Sequence, residues 1–582
     1  MKKFMALLLA TVFTVSIAGC SSSAPQALTD DGQATGDKTM FFERENSGGQ
    51  SPNVDFAAPA YREPSATTAP AAPQAPAAST APAPAASTAP QAPAQTPPVA
   101  KDSYGDTTSS QNRNTAGEDY LQIYENQSVD VSNNSMLTFG LKVDTASYTN
   151  VRRYIESNQL PPADAVKVEE LINYFSYDTA MPEGNHPFTI YTELGRSPFD
   201  SNKHLAFVRV KARDIDKENL PDSNLTFLID TSGSMNSYDK LPLLKSAFRI
   251  LVETLDEDDV VSIVTYAGSS KVVLDSVSCD RKDVIIDAIE NLSAGGSTAG
   301  ADGIKTAYKL AEKNFMQGGN NRIIIASDGD FNVGISNLTE LNELISKKRE
   351  SGVYLSVLGF GTGNIRDDIM ETLAKNGNGN YSYIDSTRAA QKVLVDEATS
   401  NLFSIADDVK AQVEFNPALV SSYRLLGYEN RMLENKDFTD DKKDSGEIGV
   451  GTDVVIMFEL ELGAQSSGLK YQSSDVAIPA TGEYGDEYFE VRIRYKNPGE
   501  SKSIEMTGAV KIDRLFDSNS SDFDFAASVA AYGALLRGSE YARYVSLDDV
   551  IYMAKNSIGY DTKGYRADFV KLIEKSKALG LR

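Results

Sequence analysis

Between residues 225 and 401 the chain alternates short unbroken apolar runs with amphipathic stretches. The runs at 225–229, 260–266, 322–326, 353–360 and 381–384 have no polar face, as strands do when helices cover both sides of their sheet. After the first run, Leu241, Leu244, Phe248, Leu251 and Leu255 recur at three- and four-residue spacings and form one apolar helix stripe. Strands with helices between them predict a doubly wound α/β fold around a central, mostly parallel sheet. The flanks have another rhythm. Residues 136–143, 188–194 and 204–212 alternate like strands, and helices are predicted at 144–155 and 166–175, the first capped by Asp144 and Ser147. Beyond 407 the segments 409–415, 423–428, 453–462, 488–495 and 503–511 predict a β-sandwich-like module. Three helices close the chain at 523–537, 547–557 and 565–577, the second capped by Ser546 with Asp549 at its third position.

The N-terminus reads differently from the body. Lys2 and Lys3 precede an apolar run from Phe4 to Ile17, which is too short for a good spanning helix and has the shape of an export signal. It ends Ile17-Ala18-Gly19-Cys20, which resembles the bacterial lipobox, whose cysteine is acylated and becomes the new N-terminus. Residues 61–100 hold 10 of the 23 prolines among Ala, Ser, Thr and Gln, and cannot bury enough surface to fold. The expected layout is a lipoprotein signal at 1–19, a disordered tether at 20–125 and a mixed α/β segment at 126–222. The α/β domain at 223–402, the β module at 403–516 and the helical region at 517–582 follow. Chain ends of a doubly wound domain lie close together. Strands before 225 are therefore expected to pair with strands after 407.

Composition removes several function classes. Against 81 Asp and Glu there are 56 Lys and Arg, a formal charge of −25. Loss of residues 1–19 takes away Lys2 and Lys3 and leaves −27. Such a polyanion is repelled by nucleic acid and by anionic lipid, so the membrane is expected to be met only through an acyl group on Cys20. With Cys20 acylated, Cys279 has no disulfide partner and reads as a small buried hydrophobe. The histidines, His186 and His204, both precede the α/β domain, and no G-x-S-x-G elbow or P-loop occurs. The residues point to a binding protein, not to an enzyme.

One constellation carries chemistry. The first α/β strand runs LTFLID and is followed by TSGSM, so Asp230, Ser232 and Ser234 form D-x-S-x-S at a strand's carboxyl end, where open α/β sheets place ligands. Thr298 lies in the glycine-rich GGSTAGA, and Asp328 in SDGD just after the run 322–326. Carboxylates with hydroxyls are hard oxygen donors suited to Mg²⁺, Mn²⁺ or Ca²⁺.

These five positions, in order, resemble the metal-ion-dependent adhesion site of von Willebrand factor A domains. The resemblance implies that Ser232, Ser234 and Thr298 bind Mg²⁺ directly, and Asp230 and Asp328 directly or through waters. It also implies that an Asp or Glu of a protein partner completes the shell. DTASYTNVRRYI (144–155), GGNNRIIIASDGDFNVG (318–334) and LLRGSEY (535–541) further resemble the bacterial YfbK-like lipoproteins of this type, over about 126–582. The function then expected is metal-bridged binding of a protein partner on the exported side of the cell envelope. The alternative is an envelope scaffold or chaperone-like assembly factor that works through the β module and helices, with a structural metal.

Overall fold

The computed structural model describes residues 117–142, 144–297, 300–329, 338–443, 445–463, 484–515 and 518–582. The signal, Cys20, most of the tether and Thr298 lie outside them.

The central sheet runs, edge to edge, Tyr381–Ile384, Tyr354–Phe360, Asn320–Ser327, Ser223–Asp230, Val260–Tyr266 and Ser270–Ser278. The first five are parallel and the last is antiparallel. Every residue of Ser223–Asp230 and Asn320–Ser327 is buried, which explains why their sequences show no polar face. On one side, Leu244, Phe248 and Leu251 of the helix Leu241–Thr254 pack on Phe227 and Ile263. On the other, Ile304, Ala307 and Tyr308 of the helix Gly300–Lys313 pack on Leu228, Val264 and Ile325. The doubly wound fold follows from these two cores.

Two antiparallel sheets flank it, and both draw strands from before and after this domain. Met136–Gly140 pairs with Ser404–Phe415, and His204–Ala212 pairs with Asp453–Leu462. Pairing across the inserted domain is thus present. Val208, Val210 and Ile456 of one sheet meet Ala411, Val413 and Ile493 of the other in a shared apolar layer. The opposite face of the first sheet, with Leu205, Phe207, Val455 and Met457, is covered by the helices Ser521–Arg537, Leu547–Asn556 and Tyr565–Ala578.

Two expectations change and a third holds. The helix expected at 166–175 is only Val168–Ile172; it ends on Asn173, whose N–H and side-chain amide both donate to the Glu169 carbonyl and whose Oδ1 accepts from the Val455 N–H at 2.7 Å. The helix Ala146–Glu156 has no side-chain cap. Asp144 instead accepts from Arg431 at 2.7 Å and from the Tyr381 N–H at 2.8 Å, while the Ser147 hydroxyl donates to the Ala165 carbonyl. Ser546 does cap its helix, accepting from the Asp548 N–H at 3.2 Å.

Candidate metal centre

Chain direction places the candidate residues. From Ser223–Asp230 the chain crosses to Val260–Tyr266 on one side, then returns to Asn320–Ser327 on the other. The crossovers part at the carboxyl ends of Ser223–Asp230 and Asn320–Ser327, where a doubly wound sheet opens a crevice. Asp230 ends one of these strands and Asp328 follows the other, and both are fully buried.

The turn after Asp230 is held from several directions. Asp230 Oδ1 accepts from the Ser232 N–H at 2.8 Å, and Oδ2 accepts from the Ser327 hydroxyl at 3.0 Å. The Thr231 N–H donates to the Tyr266 carbonyl at 2.9 Å. Gly295 N–H donates to Thr231 O at 2.8 Å and Gly233 N–H to Gly296 O at 3.0 Å, so the glycine-rich loop lies against the D-x-S-x-S turn. Gly296 needs its lack of a side chain there, with φ +89°. The outcome is that Ser232 Oγ and Ser234 Oγ stand 2.9 Å apart beside the two carboxylates. Asp230, Ser232, Ser234 and Asp328 are brought together. Thr298 lies outside the described residues, two positions beyond Gly296.

The two carboxylates are pushed in opposite directions. Burial raises Asp230 to about 6, with the Asp328 charge adding to it, against the hydrogen bonds from Ser232 and Ser327. Burial also works to raise Asp328, but hydrogen bonds from Lys240 and Asn364 and the Lys240 charge outweigh it and hold the group below its usual value. Lys240, Asn364 and Ser327 are site residues that the sequence pattern does not reveal. Lys240 Nζ donates to Asp328 Oδ2 at 2.8 Å and to Asn364 Oδ1 at 2.8 Å.

This donor set fits a hard dication. Two buried carboxylates with two adjacent hydroxyls supply oxygen only, and a carboxyl pushed up to about 6 is one whose ionised form lacks compensating charge. A second acidic group fits less well. Asp144, Glu170 and Glu371 bring oxygens within 4.8 Å of one another. Arg431 bonds Asp144 at 2.7 Å and Glu371 at 2.9 Å, and Lys167 reaches Glu371 at 3.0 Å and Asp367 at 2.9 Å. Protein cations already serve there.

The family described as von Willebrand factor type A domain matches residues 224–397, and the C-terminal family of the uncharacterized protein YfbK matches 400–579. A further von Willebrand factor family matches 114–207. Over 490 residues the chain is 42% identical to uncharacterized protein YfbK of Escherichia coli (strain K12), covering 82% of this chain and 84% of that protein. The chain belongs to the YfbK-like family of bacterial von Willebrand factor type A proteins. Uncharacterized protein sll0103 of Synechocystis sp. is 31% identical over 31% of this chain and 42% of its own length. A von Willebrand factor type A structure from Catenulispora acidiphila aligns over 69% of this chain and 91% of its own, at 14% identity and TM-score 0.39. The match to the von Willebrand factor type A domain family over 224–397 makes the central domain an interaction module of a kind that often holds a divalent metal.

Proposed function

We propose that this YfbK-like protein binds an acidic segment of another envelope protein through a divalent cation, Mg²⁺ first. Mn²⁺ or Ca²⁺ could replace it. One observation carries the reading: two buried carboxylates and two hydroxyls meet at the carboxyl ends of adjacent parallel strands. Asp230, Ser232, Ser234 and Asp328 would hold the ion, with Thr298 added on the family resemblance. The ion would supply a positive point to which a partner Asp or Glu can bind, which a protein of charge −25 otherwise repels. Ser327 and the Ser232 N–H keep the Asp230 oxygens aimed, and Lys240 does the same for Asp328. The reading includes acylation of Cys20, which would hold the protein on the exported face of a membrane.

Pull-down from an envelope extract, with Mg²⁺ or with chelator, tests the proposal. Asp230→Ala removes one of the two carboxylates and should abolish metal-dependent capture while circular dichroism stays unchanged. A folded Asp230→Ala protein that captures the same partner equally with Mg²⁺ or chelator would sink metal bridging. It would favour the scaffold reading instead. That reading draws support from Tyr544, Tyr552 and Tyr560 in the C-terminal helical region, which are 78%, 72% and 90% exposed.

A further inference from the structure

Lys240 stands at the head of the helix Leu241–Thr254 and is only 6% exposed. A buried ammonium costs solvation free energy unless acceptors surround it. Here Asp328 Oδ2 and Asn364 Oδ1 each accept at 2.8 Å. The stem has a fixed bed as well. Gly361 has φ +76°, and a Cβ there would run into Lys240 Cγ. Two separate stretches of chain, Asp328 and the loop 361–364, therefore hold the charge in one place, beside a carboxylate of the candidate metal centre. The neighbouring acid, Asp239, is engaged elsewhere, accepting from Ser237 at 2.5 Å and Thr362 at 3.2 Å.

The placement has a consequence for charge balance. Asp230 and Asp328 bring two negative charges to the centre, and Lys240 returns one positive charge. A dication held there would leave a net charge of about +1, whereas without the lysine the same centre would be neutral. An ion left with surplus positive charge favours an anionic last ligand over water or a neutral carbonyl. A neutral centre has little such preference.

We infer that Lys240 is a built-in counter-cation that loosens the hold of Asp328 on a divalent metal and thereby makes the centre select a carboxylate as its outer ligand. This rests on the metal-bridged reading above. It makes Lys240 a specificity-determining residue, one that trades metal affinity for anion affinity.

The test uses the full mature chain and two small probes, MnCl₂ and acetate, so that no natural partner is needed. Lys240→Met keeps an unbranched apolar stem over Gly361 and removes the charge, and Lys240→Arg keeps the charge. Calorimetry should show Lys240→Met binding Mn²⁺ at least tenfold more tightly than wild type. Electron paramagnetic resonance of the Mn²⁺-loaded proteins should show its affinity for acetate at least tenfold weaker. Acetamide, the neutral analogue, should bind both proteins alike, and Lys240→Arg should stay within about threefold of wild type on Mn²⁺ and acetate. Absence of either change in Lys240→Met overturns the inference and leaves metal bridging standing. A wild type that binds no Mn²⁺ beside a Lys240→Met protein that does removes metal bridging and the carboxylate selection with it. No binding by either removes both. Should circular dichroism show Lys240→Met unfolded, Lys240→Gln takes its place, with the same changes expected and the same results overturning the inference.

Discussion

Replacing Glu170 by glutamine should make this protein more stable at alkaline pH. Glu170 is 3% exposed and shares a buried cluster with Asp144, Asp367 and Glu371, opposed by Lys142, Lys167 and Arg431. Glu169 adjoins it, raised to about 7 by burial and the Glu429 charge, so five carboxylates face three cations and the cluster keeps protons that Glu170 and Glu169 share. Burial first, then the charges of Asp144, Glu371 and Glu169, push its carboxyl up to about 8 against the pull of Lys167. Glu371 goes the other way, down to about 2, because Lys167 and Arg431 overcome its burial. In the unfolded chain Glu170 loses its proton near 4.5, whereas the folded protein keeps it until about 8. Between those values the folded state binds more protons, so stability falls as pH rises, and the loss is complete above about 8. At about 1.4 kcal/mol per pH unit a shift in this direction costs on the order of a few kcal/mol, shared with Glu169. Glutamine cannot ionise, yet it keeps an acceptor for the Ser147 N–H, which lies 2.8 Å from Glu170 Oε2. Urea unfolding followed by circular dichroism at pH 5, 7 and 9 measures the effect. Wild type and Glu170→Gln should match near pH 5, and the variant should be the more stable at pH 9, by a few kcal/mol. A variant that tracks wild type through pH 9, or falls below it there, would refute the proton count.

Two further outcomes follow from features already described. Cys279 is 2% exposed and its thiol is pushed up to about 12, chiefly by burial and next by the Asp259 charge, so it should resist thiol reagents in the native protein and react at once in urea. Rapid labelling without denaturant would contradict its burial. Cys20→Ser should shift the protein from the membrane fraction to the soluble one and block incorporation of labelled palmitate, and a wild type recovered soluble and unacylated would remove the anchor.

What the sequence reveals is local, and what it hides is long-range. The parallel strands are readable because burial on both faces leaves them continuously apolar, and Asp230 because its turn partners lie within four residues of it. Lys240 is hidden because the carboxylate that explains it lies 88 residues away. Asp144 reads as a helix cap for the same reason, its guanidinium partner being 287 residues distant. The edge strand Ser270–Ser278 escapes the pattern because it has no regular alternation. Its pairing with Val260–Tyr266 shifts register twice, and Ser276 takes φ +50°. The short helix Val168–Ile172 looks longer in the sequence because the bond that Asn173 makes as its cap, to the Val455 N–H, spans 282 residues.

The interrupted sandwich also dictates an order of assembly. Gly140 pairs with Lys410 and Ala206 with Phe458, so neither flanking sheet can close until the ribosome has delivered the whole intervening domain. Closing so long a loop from an open chain costs on the order of 5 kcal/mol of entropy. A central α/β domain that folds first meets that entropy cost with its own core and presents the two sandwich segments to each other already side by side. The inserted domain is thus also the template on which the rest of the chain closes. Mutations that slow its folding should leave the sandwich strands exposed as unpaired edges, open to aggregation and proteolysis even when the finished structure would tolerate the change.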